Sequence, residues 1–118
     1  MSVAGNPPFS KVRRVGGLVF LSGELPLGDS VAVPIGIAAQ TELTLNRIAA
    51  TLAGEGLNLA DVVQATVYLR HAEDFAAFNA AYARHFAAPY PTRTTVVAAL
   101  ALPQADVEIT VTAAVPEA

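Results

Sequence analysis

The feature that most limits what this chain can fold into is an alternation with a period of two near its end. From Val107 to about Val115, residues Val107, Ile109, Val111 and Ala113 fall on one side, and Glu108, Thr110, Thr112 and Ala114 on the other. Successive side chains of a strand point to opposite faces, so this stretch predicts a strand with one apolar face and one threonine-bearing face. Asp61 to Arg70 alternates in the same way, with Val63, Ala65, Val67 and Leu69 opposed to Val62, Gln64, Thr66 and Tyr68. A second strand of this kind belongs in the middle of a sheet.

The intervening segments have a different period. From Ile37 to Glu55, Thr41, Leu45, Ile48 and Leu52 recur at three- and four-residue steps, and Gly54 and Gly56 supply a stop, as in an amphipathic helix. A second helix is predicted from about Glu73 to Phe86, its stripe formed by Phe75, Phe78, Tyr82 and Phe86 and its first turn carrying Glu73 and Asp74, where negative charge suits the helix dipole. Near the start, Lys11 to Val15 and Leu18 to Ser22 flank Gly16-Gly17, the signature of a tight hairpin whose central residues need positive φ. Ser22-Gly23-Glu24 closes the second strand, and Leu25 to Gly36, with two prolines and two glycines, reads as a loop long enough to border a site. A further strand runs from Thr92 to about Leu100, with Arg93, Thr95, Val97 and Ala99 on one face. The order strand, strand, helix, strand, helix, strand, strand predicts an α+β two-layer sandwich, both helices on one sheet face. At 118 residues, without repeats or low-complexity tracts, the chain reads as one domain over 1–118.

Charge carries the functional argument. Only 14% of residues are charged while 53% are hydrophobic, against roughly 25% charged in an average globular chain. So little charge barely covers a monomer, which points to a symmetric oligomer that hides an apolar sheet face. The formal net charge is −3, and no basic run extends beyond Arg13-Arg14, which argues against a nucleic-acid footprint. The absence of cysteine removes disulfides, thiolate nucleophiles and cysteine-type metal sites. The first eight residues lack the order of a signal peptide, and no apolar run approaches the ~20 residues needed to span a bilayer. The expectation is a cytoplasmic protein with no membrane partner.

Two residues stand out as chemistry. Arg93 lies at the mouth of a strand behind Pro89-Tyr90-Pro91, and Glu108 lies inside the next strand, fifteen residues later. Pro91 fixes φ and biases Tyr90 toward extended backbone, so the approach to Arg93 is stiff. An arginine fork matches a carboxylate, and a glutamate can hold or deprotonate a water. The pair suggests a small anionic substrate and a hydrolytic step. Asn79, four residues after Phe75 and three before Tyr82, falls on or beside the aromatic face of its helix, where an amide must find partners. His71 and His85 sit on different elements without a metal-ligand spacing and are read as surface residues. Ser22 has no evident base and is read as a strand-end hydrogen-bonder.

The ordered series Phe20-Leu21-Ser22-Gly23-Glu24-Leu25-Pro26, Gln40-Thr41, Asn46, Gly56-Leu57-Asn58-Leu59-Ala60-Asp61-Val62-Val63, Phe78-Asn79-Ala80-Ala81-Tyr82, Pro91-Thr92-Arg93-Thr94-Thr95-Val96 and Val107-Glu108-Ile109 resembles the RidA/YjgF (Rid) family. That family is also labelled endoribonuclease L-PSP or translation initiation inhibitor. The likeness runs from about Phe9 to Ala114. It implies a chorismate-mutase-like, or YjgF-like, fold: a mixed sheet with two helices on one face, assembled as a homotrimer around a central barrel with sites between subunits. It implies cofactor-free hydrolysis of reactive 2-imino acids and their enamine tautomers, of the 2-iminobutanoate and 2-iminopropanoate type, to 2-oxo acids and ammonia. Arg93 then matches the carboxylate clamp and Glu108 the water-positioning carboxylate. Phe9, Ser22, Gly23, Asn79 and Thr95 fall at substrate-lining positions, the backbone of Gly23 helping to hold the water.

Three positions depart from the commoner deaminase pattern. Phe9 replaces a frequent Tyr and removes a hydroxyl, Glu24 replaces a frequent Gln and adds negative charge, and Thr95 replaces a frequent Cys. Substrate range and turnover hang on these changes. One rival class is a non-enzymatic binder of small carboxylates or other metabolites. The other is a ribonuclease or translation inhibitor, against which the acidic balance counts.

Overall fold

A computed structural model describes residues 7–28 and 32–117. Residues 1–6 of the expected N-terminal arm and 29–31 of the expected loop lie outside the described residues. The elements are β1 (Val12–Val15), β2 (Leu18–Leu21), α1 (Ile37–Ala53), β3 (Val62–Leu69), α2 (Phe75–Ala83), β4 (Thr92–Val97) and β5 (Val107–Ala114). They form a five-stranded sheet in the order β1-β2-β5-β3-β4. The β3–β4 pair is parallel and the other pairs are antiparallel, so the sheet is mixed. The α+β two-layer architecture is as expected.

The hairpin turns through Gly16 and Gly17, with Val15 paired to Leu18. Only Gly16, at φ 59°, takes positive φ; the expectation for two such residues is therefore corrected to one. On α1, Thr41, Leu45, Ile48 and Leu52 are all buried. This helix ends at Ala53, and Gly56 at φ 75° lets the Leu57 amide reach back to the Leu52 carbonyl at 2.9 Å, closing the end as a glycine cap does.

The second helix is shorter than its sequence pattern. Ala72–Asp74 forms a separate 3-10 turn, which holds Glu73 and Asp74, and α2 proper begins at Phe75. At its other end the amides of Arg84 and His85 bond three residues back, to Ala81 and Tyr82, so the last turn tightens before Phe86.

Two strands also differ from the pattern. In β3 a register shift between Val62 and Gln64 leaves Val63 exposed, and Val62 joins Ala65, Val67 and Leu69 on the buried face. A bulge of this kind adds one residue and inverts the alternation beyond it. β4 stops at Val97, after which the Ala98 amide bonds to the Leu69 carbonyl at 2.9 Å, and Ala99 lies beyond the strand.

One core lies between sheet and helices. Val19, Val67, Val107, Ile109 and Val111 from the strands meet Leu45, Ile48, Leu52 and Phe78 from the helices. Each fully buried side chain of this kind stabilises the fold by about 1.5–3 kcal/mol. The opposite sheet face carries Glu108, Thr110 and Thr112 of β5, Tyr68 of β3 and Phe20 of β2. Val15, Leu18, Phe20 and Val96 are exposed apolar residues; by the pairing of the strands they belong to this same face.

Gln40 wires the layers together. Its side chain, 2% exposed, donates to the Pro34 carbonyl at 2.9 Å and accepts from the Asp106 amide at 2.7 Å. With Arg70, which donates to the carbonyls of Leu102 and Ala105, it fixes the segment leading into β5.

Candidate functional site

Arg93 is the second residue of β4, which among the described residues is an edge strand paired to β3. Its partner across the ladder is Ala65, whose own partner on β5 is Val111. Both partners are buried under the helices, so Arg93 points to the helix side, toward α2. There Phe75, Phe78, Asn79 and Tyr82 recur at helical spacing and surround the guanidinium. One Arg93 amino group donates to Asn79 Oδ1 at 2.7 Å. The guanidinium carbon lies 4.8 Å from the Tyr82 ring centre, 5.2 Å from Phe78 and 5.8 Å from Phe75, all within cation–π range. No carboxylate among the described residues pairs with it. Thr95 follows on the same face, opposite Val67.

The surface beside this guanidinium is a depression of about 330 Å³ lined by Asn79, Tyr82, Ala83, Tyr90, Pro91 and Arg93. Burial pushes the Tyr82 phenol above its ordinary value, with the Arg93 charge acting in the opposite sense. Its hydroxyl is buried without a hydrogen-bond partner among the described residues.

Glu108 belongs to a second cluster. A depression of about 270 Å³ is lined by Phe9, Ser22, Gly23 and Glu108. Between the pairs Phe20–Thr112 and Glu24–Ile109, the β2 side carries one residue more than β5. That extra residue brings Gly23 against the Glu108 carboxylate, where a Cβ would collide with a carboxylate oxygen and crowd Thr110. Ser22 donates its hydroxyl to the Ser10 carbonyl at 2.6 Å, the strand-end role expected of it. Phe9 is 63% exposed. Burial first, and the Glu24 charge second, raise the Glu108 pKa above the ordinary carboxylate range. Glu24 itself is held by Arg47 at 2.8 Å, so the charge that distinguishes it from glutamine has a partner.

The two clusters stand on opposite sides of the sheet. Glu108 pairs with Tyr68, whereas the helix-side partners of β5 are the flanking Val107 and Ile109. Arg93 with Asn79 and Thr95, and Glu108 with Phe9, Ser22 and Gly23, are therefore two separate clusters on opposite faces of one sheet.

His85 corrects an expectation. Its side chain is only 12% exposed and bonds Glu42 of α1 at 2.7 Å, while Arg84 grips the other Glu42 oxygen at 2.8 Å. The partner lies 43 residues away in sequence, which local spacing does not reveal. His71, 49% exposed, is the surface residue expected. The hydrogen bond to Arg84 is the main cause that lowers the Glu42 pKa below the ordinary carboxylate range. Sequence reasoning also treated Phe75 and Tyr82 as core stripe and missed that they flank Arg93; their positions four before and three after Asn79 were the available signal.

Comparison with known proteins bears on the family and the fold. The family model of endoribonuclease L-PSP matches residues 2–115. Mmf2 of Schizosaccharomyces pombe, named as mitochondrial, is 37% identical over 91 residues, covering 77% of this chain and 72% of its own. TdcF of Escherichia coli K12, named as a candidate reactive intermediate deaminase, is 32% identical over 93 residues, covering 75% of this chain and 72% of TdcF. The crystal structure of E. coli TdcF with bound serine superposes with a TM-score of 0.83 at 30% identity, over 93% of this chain and 90% of that one. NMB1025 of Neisseria meningitidis, a YjgF family member, gives a TM-score of 0.87 at 36% identity, over 97% and 92% of the two chains. With its mixed sheet, its two helices and these relatives, the chain belongs to the RidA/YjgF family, the endoribonuclease L-PSP group.

Proposed function

We propose that this protein hydrolyses reactive 2-imino acids, of the 2-iminobutanoate and 2-iminopropanoate type, to 2-oxo acids and ammonia. The observation that carries this reading is Arg93: a guanidinium anchored by Asn79 and three rings, without a carboxylate partner among the described residues, beside an open depression. An arginine so placed is matched to a substrate carboxylate. The naming of TdcF as a candidate reactive intermediate deaminase supports the same class.

The chemistry needs a water and proton transfers only. Arg93 holds the substrate carboxylate, and Glu108 accepts a proton as the water oxygen bonds to C2 of the protonated imine. The resulting carbinolamine takes a proton on nitrogen, the C–N bond breaks with its electrons leaving on nitrogen, and the hydroxyl loses its proton to give the 2-oxo acid. One water is consumed and one ammonia released. Positioned proton transfer contributes typically about 10²- to 10⁴-fold. A Glu108 pKa raised by burial brings its basicity closer to a neutral working pH.

Because the two clusters occupy opposite sheet faces, the working site on this reading is built between copies, Arg93 from one and Glu108 from its neighbour. A homotrimer with the exposed Val15, Leu18, Phe20 and Val96 face turned inward would supply it. A cytoplasmic location belongs to the same reading; no helix among the described residues is long and apolar enough to cross a membrane, and one relative is named as mitochondrial.

A second reading rests on Phe9, which brings no hydroxyl to the Glu108 depression: the cleft would bind small carboxylates without turning them over. Imine released by an amino-acid oxidase and trapped with semicarbazide separates the two. Faster imine loss with wild type, absent with Arg93→Ala, is the result of a deaminase. Unchanged imine lifetime alongside binding of 2-oxobutanoate is the result of a binder.

A further inference from the structure

We infer that Phe75 is a positioning residue for Arg93, holding the guanidinium in one orientation so that it meets a carboxylate as a ready-made fork. The inference rests on the assignment of Arg93 as carboxylate clamp.

Phe75 is the first residue of α2 and is 46% exposed. It therefore contributes less to the core than Phe78, at 0%, or Tyr82, at 7%. A half-exposed phenylalanine at a helix start gains only part of the stabilisation of a core ring, and its ring centre lies 5.8 Å from the Arg93 guanidinium carbon. The deeper rings are tied to other tasks as well: Phe78 packs against Tyr82 at 5.4 Å, and Tyr82 stacks on Phe86 at 4.5 Å. Asn79 fixes one amino group of the arginine by a single hydrogen bond. One hydrogen bond leaves a planar group free to swivel about it, and ring faces restrict that motion.

The geometry has a chemical consequence. A guanidinium binds a carboxylate best through two parallel N–H donors, which requires its plane to be set before the ligand arrives. Holding the plane with a ring leaves the N–H groups of its edge available, whereas holding it with a second carboxylate would consume them. An aromatic partner thus orients the clamp without competing for it.

The test uses the assembled protein, with oligomeric state and thermal midpoint checked for each variant. Phe75→Leu removes the π face and keeps apolar bulk; Phe75→Tyr keeps both. Three quantities are read: binding of 2-oxobutanoate by calorimetry, KM and kcat for imine hydrolysis, and the ps–ns order of the Arg93 Nε–H group by NMR relaxation. The expected result for Phe75→Leu is binding weakened about 3- to 10-fold, in line with a partly exposed cation–π contact. KM rises by a similar factor, kcat is retained and Arg93 Nε–H becomes more mobile, while Phe75→Tyr matches wild type. Phe75→Leu with wild-type binding and an equally ordered Arg93 overturns the proposal. So does a loss that Phe75→Tyr shares, since that would track shape and not the π face. If wild type hydrolyses no imine but binds 2-oxobutanoate, the deaminase reading falls, and the binding and NMR data still decide the role of Phe75. If it binds no 2-oxobutanoate either, the clamp assignment falls and with it this proposal.

Discussion

Individual side chains carry the sharpest consequences. Arg93→Ala should abolish carboxylate binding, while Arg93→Lys should restore little, because an ammonium offers neither the planar fork nor the same stacking on rings; 2-oxobutanoate titrations check both. At Glu108 the raised pKa fixes the direction of the pH profile. The group must be ionised to accept a proton, so the acid limb of kcat/KM is expected above the ordinary carboxylate range. Glu24→Gln removes the second cause of that shift and should move the limb to lower pH, as a pH series on the two proteins would register. Gly23→Ala should cost most of the activity, because the added methyl meets the Glu108 carboxylate. Arg93, Glu108 and Asn79 stood out in the sequence by residue type and position, and the structure places Arg93 beside Asn79 and Glu108 beside Gly23. Their partners were less legible: the bond from Arg93 to Asn79 spans 14 residues, and only the resemblance to a family tied the two together.

Elements show where local pattern reaches its limit. The helical stripe of α1 and the alternation of β5 were readable because each is long and unbroken. The bulge at Val63 was not, since a run of Val-Val-Gln-Ala alternates equally well in either phase and cross-strand register decides which residue is left out. Arg93 and Glu108 fall on opposite faces for a related reason. Each strand showed its own two faces in sequence, but the relation between strands depends on the pairing of Arg93 with Ala65 and of Ala65 with Val111. Between α1 and α2, Glu42 joins His85 and Arg84, and its lowered pKa makes this contact pH-dependent. A carboxylate whose folded pKa lies below its unfolded one stabilises the fold above the unfolded value and loses that contribution as pH falls through the folded value. Glu42→Gln should therefore destabilise the fold at neutral pH by roughly 0.5–1 kcal/mol after solvent screening, read as a lower thermal midpoint. The difference from wild type should fade on acidification through the carboxylate range and below. Gln40→Leu should cost about 1–3 kcal/mol by leaving the Asp106 amide without its acceptor, measurable by denaturant unfolding.

For the molecule as a whole, composition was informative before any fold was known. A chain with 53% hydrophobic and 14% charged residues leaves a sheet face bearing Val15, Leu18 and Phe20 exposed, and the clusters around Arg93 and Glu108 lie on opposite faces of the sheet. On the proposed function, the protein is an imine deaminase whose site takes Arg93 from one copy and Glu108 from another. Imine lifetime by semicarbazide trapping tests it most directly when wild type, Arg93→Ala, Glu108→Gln and a co-expressed mixture of the two variants are compared. The expected result is an active wild type, two inactive variants and a mixture that regains about a quarter of wild-type activity, the share of complementary neighbours given by random assembly of a symmetric oligomer. A mixture as inactive as its parents would contradict the shared site, and a wild type that leaves imine lifetime unchanged would contradict the deaminase itself.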